Sequence, residues 1–164
     1  MGQNKAFKLL IVCTGNTCRS PMAEGIAKKI AKEKGLDNFI ISSAGTGAVD
    51  GYPATDYAIE AAKHWDIDIS SHRSKALTKQ MAGDADLILT MAPEHAEWVI
   101  SMDKNLKDIT YVLKGFPEPY RRGQARVDDP IGGNLEQYNQ TFMELDEILR
   151  RIFPDIVAMA EKQN

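Results

Sequence analysis

Residues 7–23 read FKLLIVCTGNTCRSPMA, a mostly apolar run that passes directly into a glycine-containing loop. The run over residues 7–12 is short and apolar, as in a buried strand. From Met22 onward the apolar residues are spaced three and four apart, which predicts a helix that closes near Gly35. A strand, a loop and a helix therefore follow one another near the start of the chain.

The same alternation recurs along a chain of 164 residues, 43% of which are hydrophobic. Further strands are predicted at residues 39–41, 87–89 and 109–113, and further helices at 54–65, 93–102 and from about 135 onward. Strands that alternate with helices build parallel sheets covered on both faces. The prediction is an α/β fold with a single domain over residues 1–164, three layers and a four-stranded parallel sheet flanked by helices.

The later part of the chain has one segment without periodicity. Residues 114–133 are rich in proline and glycine, which predicts a long surface loop of functional importance. In the helix that follows, Pro154 is expected to cause a break or a kink. In the helix predicted at 54–65, Trp65 falls on the same apolar stripe as three alanines and is expected to pack inward.

Composition and charge exclude several classes of protein. A net charge of −3 and a pI near 5.6 give no electrostatic reason to expect nucleic-acid binding. No run approaches the ~20 apolar residues of a membrane span, and the polar start MGQNK lacks the apolar core of a signal peptide. We therefore expect a cytoplasmic protein with no nucleic-acid or membrane partner, present as a monomer or weak homodimer.

Two cysteines and three histidines are present, without the spacing of a zinc site or the number for a disulfide framework. We expect neither a metal nor another cofactor.

The loop CTGNTCRS at residues 13–20 lies where open α/β sheets bind ligands. Its backbone N–H groups and the start of the next helix suit a phosphate. Gly15 and Asn16 tolerate the positive φ needed to curl around an anion, and Arg19 can grip two of its oxygens. These groups are expected to lower the pKa of Cys13 and make its thiolate a nucleophile. The alternative is that Cys13 is a small buried residue that ends a strand.

The run from Val12 to Glu24 resembles the signature of the low-molecular-weight protein tyrosine phosphatases, including their bacterial members. The likeness continues through Ser43-Ala44-Gly45 and Ser71-His72-Arg73 to Asp129-Pro130, so it spans nearly the whole chain. It implies the Rossmann-like fold of the phosphotyrosine protein phosphatase I type. It also implies hydrolysis of a phosphoprotein through a cysteinyl-phosphate intermediate, with inorganic phosphate or another oxyanion bound in the loop.

The resemblance implies a role for each matching residue. Cys13 is the nucleophile, Arg19 clamps the phosphate and Asp129 protonates the leaving group, with Asp128 as the neighbouring alternative. Phosphate contacts are expected from Thr14, Gly15, Asn16, Thr17, Cys18 and Ser20. A hydrogen-bonded network that supports the loop is expected from Asn16, Ser20, Ser43 and His72.

Three further residues are assigned by resemblance or by elimination. Cys18 is expected either to form a reversible disulfide with Cys13 or to pack as a thiol beneath the loop. His64 and His95 lie on predicted helices without an evident partner, so both are interpreted as structural.

Two substrates stay open. Phosphotyrosine follows from the breadth of the family, although Ile131 and Val49 stand where eukaryotic members have aromatic residues. Thr17 replaces the usual Ile or Leu, and bacterial relatives with Thr here include protein arginine phosphatases, so phosphoarginine is the alternative. An arsenate reductase-like thiol enzyme is disfavoured because no cysteine follows Cys18. A non-catalytic phosphoprotein-binding module is disfavoured because nucleophile and acid are both present.

Overall fold

The apolar run after residue 6 forms the first strand in a computed structural model of the chain, which describes residues 5–163. The strands are β1 (Phe7–Cys13), β2 (Phe39–Gly45), β3 (Leu87–Thr90) and β4 (Thr110–Val112). The helices are α1 (Arg19–Glu33), α2 (Asp56–Lys63), α3 (Lys79–Asp84), α4 (Pro93–Met102) and α5 (Leu135–Lys162), with 3-10 turns at Lys104–Ile109 and Leu113–Gly115. The polar start MGQNK, from which no signal peptide is predicted, lies outside the described residues except for Lys5.

The four strands form one parallel sheet in the order β2-β1-β3-β4. The predicted four-stranded parallel sheet is therefore confirmed. β1 and β2 pair in register from Phe7 with Phe39 to Cys13 with Gly45, so both strands end side by side. This shared carboxyl edge is where the loop over residues 13–20 leaves the sheet.

Side chains of β1 alternate between two apolar layers, which explains why the strand reads as a continuous apolar run. Leu9, Ile11 and Cys13 face a core formed with α1, α2 and α5. Leu10 and Val12 face a smaller core that includes residues of α3 and α4. Helices thus cover both faces of the sheet, and Cys13 ends the strand on the side of the larger core.

Helix α1 begins at Arg19, three residues before the predicted start at Met22. A proline in the first turn removes no helical hydrogen bond, because the first N–H groups of a helix have no partner inside it. The backbone N–H of Met22 makes the first such bond, to the carbonyl of Cys18 at 3.2 Å. The earlier start places Arg19 on a rigid helix rather than in the loop.

Two other boundaries differ from the prediction. Strand β2 continues to Gly45 instead of ending at residue 41, since its polar Ser43 is buried against the loop. Helix α3 was not predicted, because its six residues show no apolar periodicity; Thr78 caps it by accepting from the N–H of Met81 at 3.1 Å.

Of the break or kink predicted at Pro154, the break is wrong, since α5 runs without interruption from Leu135 to Lys162. The kink stays a prediction. Phe153 and Ile156 are fully buried on either side of the proline, and their packing holds the helix together. α5 begins as predicted, with a capping box between Asn134 and Gln137. Within residues 5–163, no helix is both long and apolar enough to span a membrane.

The inward packing predicted for Trp65 is only partly met. Trp65 lies beyond the end of α2 and is 40% exposed, whereas the three alanines of the stripe are buried. Its ring stacks on Phe142 of α5, with centroids 6.1 Å apart. It therefore covers the edge of the core instead of filling it.

Candidate active site

The loop over residues 13–20, here called the phosphate loop, connects β1 to α1 and wraps around the sulfur of Cys13. Cys13 is 2% exposed, with its Sγ 2.8 Å from the Ser20 hydroxyl and 3.3 Å from the backbone nitrogen of Asn16. Asn16 has φ +57°, so the positive φ predicted for this turn occurs at Asn16 and not at Gly15. The sulfur therefore lies inside a curled loop that presents hydrogen-bond donors to it.

The predicted supporting residues all meet at Asn16. Its amide nitrogen donates to the hydroxyls of Ser20 at 2.7 Å and Ser43 at 2.9 Å, and its amide oxygen accepts from the N–H of Lys75 at 2.9 Å. His72 donates from Nε2 to the Asn16 carbonyl at 2.7 Å. These four contacts hold Asn16 in its positive-φ conformation.

A carboxylate sets the direction of this network. Ser43 donates to Glu24, because a carboxylate only accepts, so the Ser43 oxygen is left to accept from Asn16. The Ser20 oxygen also accepts from Asn16, and the Ser20 O–H is available to donate to the Cys13 sulfur when that sulfur is a thiolate. The network therefore ends on a proton aimed at the sulfur and favours its anionic form.

Arg19 is 5% exposed, and its guanidinium has three partners. One terminal nitrogen donates to the carbonyl of Val127 at 2.9 Å. The other lies 3.4 Å from the hydroxyl of Thr14 and 3.5 Å from a carboxylate oxygen of Asp129. The arginine is thus oriented by the phosphate loop and by the long loop that precedes α5.

That long loop, residues 116–134, is here called the acid loop. The side chain of Asp129 is 40% exposed and accepts from the N–H of Ile131 at 3.1 Å. A small cavity over the phosphate loop is lined by Cys13, Gly15, Asn16, Thr17, Cys18, Arg19, Asp129 and Ile131. Asp129, rather than Asp128, lines this cavity, which distinguishes the two carboxylates that the sequence left ambiguous.

Burial raises the pKa of the Cys13 thiol above its ordinary value, and this outweighs the lowering by Ser20, Arg19 and Asn16. The expected lowering of the Cys13 pKa is therefore wrong for this structure. The sequence identified the polar neighbours that favour the thiolate. It did not show how deeply the sulfur would be removed from water.

Cys18 also lies in the cavity wall and is 4% exposed. Its Sγ is 3.4 Å from the Tyr138 hydroxyl and 3.6 Å from that of Thr55. Burial, followed by the contact with Cys18, raises the pKa of Tyr138 to about 12, so the phenol keeps its proton. Both cysteines are free thiols here, and the disulfide stays a prediction.

Sequence reasoning assigned no part in the site to Val127 or His95. Val127 is fully buried within an otherwise polar loop, and its N–H donates to the carbonyl of Met91 at 2.8 Å. His95 lies in the first turn of the helix after β3, with Nε2 2.8 Å from the Thr14 hydroxyl. The available signals were a β-branched apolar residue just before the Asp-Asp-Pro turn and a histidine just after a strand that pairs with β1.

In the described part of the chain, no three His, Cys, Asp or Glu side chains cluster in a way that would hold a metal ion. The arrangement brings a cysteine thiol, the positive charge of Arg19 and the carboxyl group of Asp129 around one small cavity.

Comparison with known proteins identifies the family of this chain. The family model for low molecular weight phosphotyrosine protein phosphatase matches residues 8–163. A protein-arginine-phosphatase of Bacillus subtilis (strain 168) is 40% identical over 144 residues, covering 88% of this chain and 93% of the relative.

Two solved structures match with high coverage. A YwlE arginine phosphatase mutant with a phosphorylated active site serine superposes with a TM-score of 0.82 at 38% identity, covering 92% of this chain and 95% of that one. The low molecular weight protein tyrosine phosphatase of T. tengcongensis gives a TM-score of 0.83 at 38% identity, covering 92% and 99%. Both the fold and the resemblance inferred from the sequence are confirmed. The chain therefore belongs to the low molecular weight phosphotyrosine protein phosphatase family.

Proposed function

We propose that this enzyme is a protein-tyrosine phosphatase that works through a phosphorylated Cys13. The supporting observation is that Cys13, Arg19 and Asp129 line one cavity, although the acid loop is distant from the phosphate loop in sequence. A nucleophile, a charge clamp and a proton donor are the three groups that hydrolysis of a phosphate monoester needs.

In the first step the Cys13 sulfur attacks phosphorus, so that an S–P bond forms while the P–O bond to tyrosine breaks. Arg19 and the amides of the phosphate loop stabilise the charge on the three equatorial oxygens. Asp129 gives its proton to the departing phenolate oxygen, so tyrosine leaves as a neutral phenol.

In the second step water attacks the cysteinyl phosphate. Asp129, now a carboxylate, takes a proton from the water as the new P–O bond forms. The S–P bond breaks, and the Ser20 hydroxyl, at 2.8 Å, stabilises the sulfur anion that leaves. Inorganic phosphate departs and the enzyme returns to its starting protonation state.

The raised pKa of Cys13 is compatible with these two reaction steps. A thiol bound to a phosphate dianion carries the same number of protons as a thiolate bound to a monoanion. Transfer of one proton from sulfur to the phosphoryl group makes the nucleophile without an outside base. At the end of the second step the sulfur takes one proton back from the phosphate product, which restores the thiol. We therefore propose that binding of the substrate completes the ionisation of Cys13, with Ser20 and Arg19 stabilising the product of the transfer.

The first test is release of p-nitrophenol from p-nitrophenyl phosphate. Cys13→Ser is expected to lower kcat by about 10^4-fold or more, since loss of a catalytic nucleophile has effects of that order. Cys18→Ser is the matched control, because it makes the same exchange in the same loop, and it should still turn over. Full activity in Cys13→Ser would overturn the proposal, and no activity in the wild type would favour the non-catalytic binding module.

Phosphoarginine is the second candidate substrate, favoured by one residue. Thr17 lines the cavity, and its hydroxyl can hydrogen-bond a guanidinium group where an aliphatic side chain cannot. The relatives at comparable identity are named both as arginine and as tyrosine phosphatases. Ile131 and Val49 stand where an aromatic wall for a tyrosine ring would be expected. Both are aliphatic, and they are 61% and 65% exposed.

Kinetics on phosphotyrosine and phosphoarginine decide between the substrates. Thr17→Ile is expected to lower kcat/KM for phosphoarginine relative to phosphotyrosine. Thr17→Ser keeps the hydroxyl and serves as the matched control, with a ratio close to that of the wild type. An unchanged ratio in Thr17→Ile would remove the argument from this residue.

We further propose that the substrate is a phosphoprotein of the cytoplasm. A nucleophilic thiol beside a second free cysteine needs a reducing compartment to stay active. The monomeric or weakly dimeric state remains a prediction, which sedimentation at micromolar concentration would measure.

A further inference from the structure

His95 of α4 contacts the phosphate loop from behind. The residue is 1% exposed, and its Nε2 lies 2.8 Å from the Thr14 hydroxyl. Thr14 directly follows Cys13 in sequence, yet its side chain is absent from the cavity wall and meets His95 and Arg19 instead. The histidine therefore reaches the site through one intermediate side chain.

The surroundings of the ring decide which nitrogen carries its proton. Among the residues that the structure describes, the buried Nδ1 of His95 has no hydrogen-bond partner. A buried N–H without an acceptor is rare, whereas an unused lone pair is tolerated more readily. We therefore assign the proton to Nε2, which donates to the Thr14 oxygen.

The ring is also neutral at the pH where phosphatases of this kind are assayed. Burial, together with the nearby positive charge of Arg19, lowers the pKa of His95 to about 4. Glu94 and Asp129 act in the opposite direction, and Arg126 adds to the lowering. A neutral imidazole can approach the guanidinium system without repelling it.

Thr14 joins the two groups. Its oxygen accepts from Nε2 of His95 at 2.8 Å and from a terminal nitrogen of Arg19 at 3.4 Å, which uses both lone pairs. We propose that His95 is a positioning residue for phosphate binding: its ring holds the Thr14 hydroxyl, which in turn holds one edge of Arg19. This inference rests on the proposed phosphatase function.

Two uncharged groups, the Thr14 hydroxyl and the Val127 carbonyl, keep Arg19 in position during the proposed reaction. Asp129 also contacts the guanidinium, at 3.5 Å, but in the proposed first step it carries a proton and then moves it to the leaving group. The Thr14 hydroxyl and the Val127 carbonyl are unaffected by that transfer. They hold Arg19 against the phosphoryl oxygens without competing for its charge.

Two isosteric variants test the contact. The amide nitrogen of Gln can replace Nε2 of His95, whereas that of Asn reaches only the place of Nδ1. We expect His95→Asn to weaken inhibition by inorganic phosphate about 2- to 10-fold, as for one lost hydrogen bond, and His95→Gln to stay within about twofold of the wild type. In a Thr14→Val background, His95→Asn should add nothing.

A second measurement does not depend on turnover. Phosphate affinity is measured by calorimetry in Cys13→Ser and in Cys13→Ser with each His95 variant, with unfolding curves to confirm that each protein is folded. Nitrogen NMR of the wild type should show Nε2 of His95 protonated and Nδ1 unprotonated. His64→Gln, which removes an imidazole on the other side of the sheet, is the control and should not change phosphate affinity.

The outcomes are distinct. Equal phosphate affinity in the Gln and Asn variants, or an effect of His95→Asn that persists in Thr14→Val, would overturn the role of His95 while leaving the phosphatase function intact. A wild type that neither binds phosphate nor hydrolyses p-nitrophenyl phosphate would overturn the proposed function, and the role of His95 with it.

Discussion

The phosphate loop and the acid loop both line one cavity but are held in different ways. Cys13, Asn16 and Ser20 are almost completely buried and belong to one hydrogen-bonded network. The acid loop is mostly exposed. It is tied down by the buried Val127 and by an ion pair between Arg126 and Glu94 at the protein surface.

This difference matches the two tasks that the proposed reaction assigns to the loops. The phosphate loop stabilises charge that develops on a group of fixed size and shape, so a rigid arrangement of donors lowers the barrier most. The acid loop delivers a proton to leaving groups that vary, and a surface loop with weak attachments can adapt to them. Each prediction below breaks or sharpens this contrast between a buried and a surface-held wall.

The largest effect is expected in the acid loop itself. Asp129→Asn removes the proton donor, and general acid catalysis contributes typically 10²–10⁴-fold, so kcat on phenyl phosphate should fall by about that factor. p-Nitrophenyl phosphate should lose less, because its leaving group needs less protonation. Asp128→Asn is the control, since that side chain does not line the cavity, and an equal loss in both variants would contradict the assignment.

The next effect concerns stability on the buried side. The pKa of His95 is about 4 in the folded protein and near 6.5 when unfolded, so its contribution is fully present above pH 6.5 and is lost as the pH falls towards 4. At about 1.4 kcal/mol for each pKa unit, the loss approaches about 3 kcal/mol. Urea unfolding of the wild type and His95→Gln, from pH 7 to 4, should show the wild type lose about that much more stability than the variant.

Because many carboxylates also titrate in this range, only the difference between the two proteins reports on His95. A constant difference across the pH range would show that the ring is accessible to water and protonates normally.

A smaller effect is expected where β2 meets the phosphate loop. A Cβ on Gly45 would lie 2.3 Å from the carbonyl oxygen of Thr14 and 3.0 Å from the nitrogen of Asn16. Gly45→Ala should therefore destabilise the fold by about 1–3 kcal/mol and lower activity, because the backbone of the loop must shift. Gly47→Ala is the control, since its nearest contact would be an ordinary 3.6 Å.

The smallest effect is expected for the surface attachment of the acid loop. Arg126 makes a bidentate pair with Glu94, but both side chains are about half exposed. Arg126→Gln should lower the free energy of unfolding by only about 0.2–1 kcal/mol, and this loss should be smaller in high salt. Urea unfolding measured from 0.05 to 1 M salt tests this. Arg122→Gln removes a longer pair, at 3.5 Å to Glu97, and should show a still smaller loss of stability.

Much of the fold could be predicted because its signals are local. β1 is buried on both faces from Leu9 onward and so reads as a mostly apolar run, and Asn134 and Gln137 cap the start of α5. Features that depend on packing could not be predicted in this way. The continuous helix through Pro154 relies on buried neighbours, and α3 has no periodicity of its own.

The sequence by itself predicted the chemistry of the site, because residues 13–20 place a cysteine, a turn that tolerates positive φ and an arginine next to one another. The family resemblance pointed to the aspartate that precedes Pro130. Only the tertiary structure decided that Asp129 lines the cavity, that His95 holds Thr14, and that burial raises the pKa of Cys13. The physical reason is that residue type is written locally. Distance from water and contacts between remote segments exist only once the chain has packed.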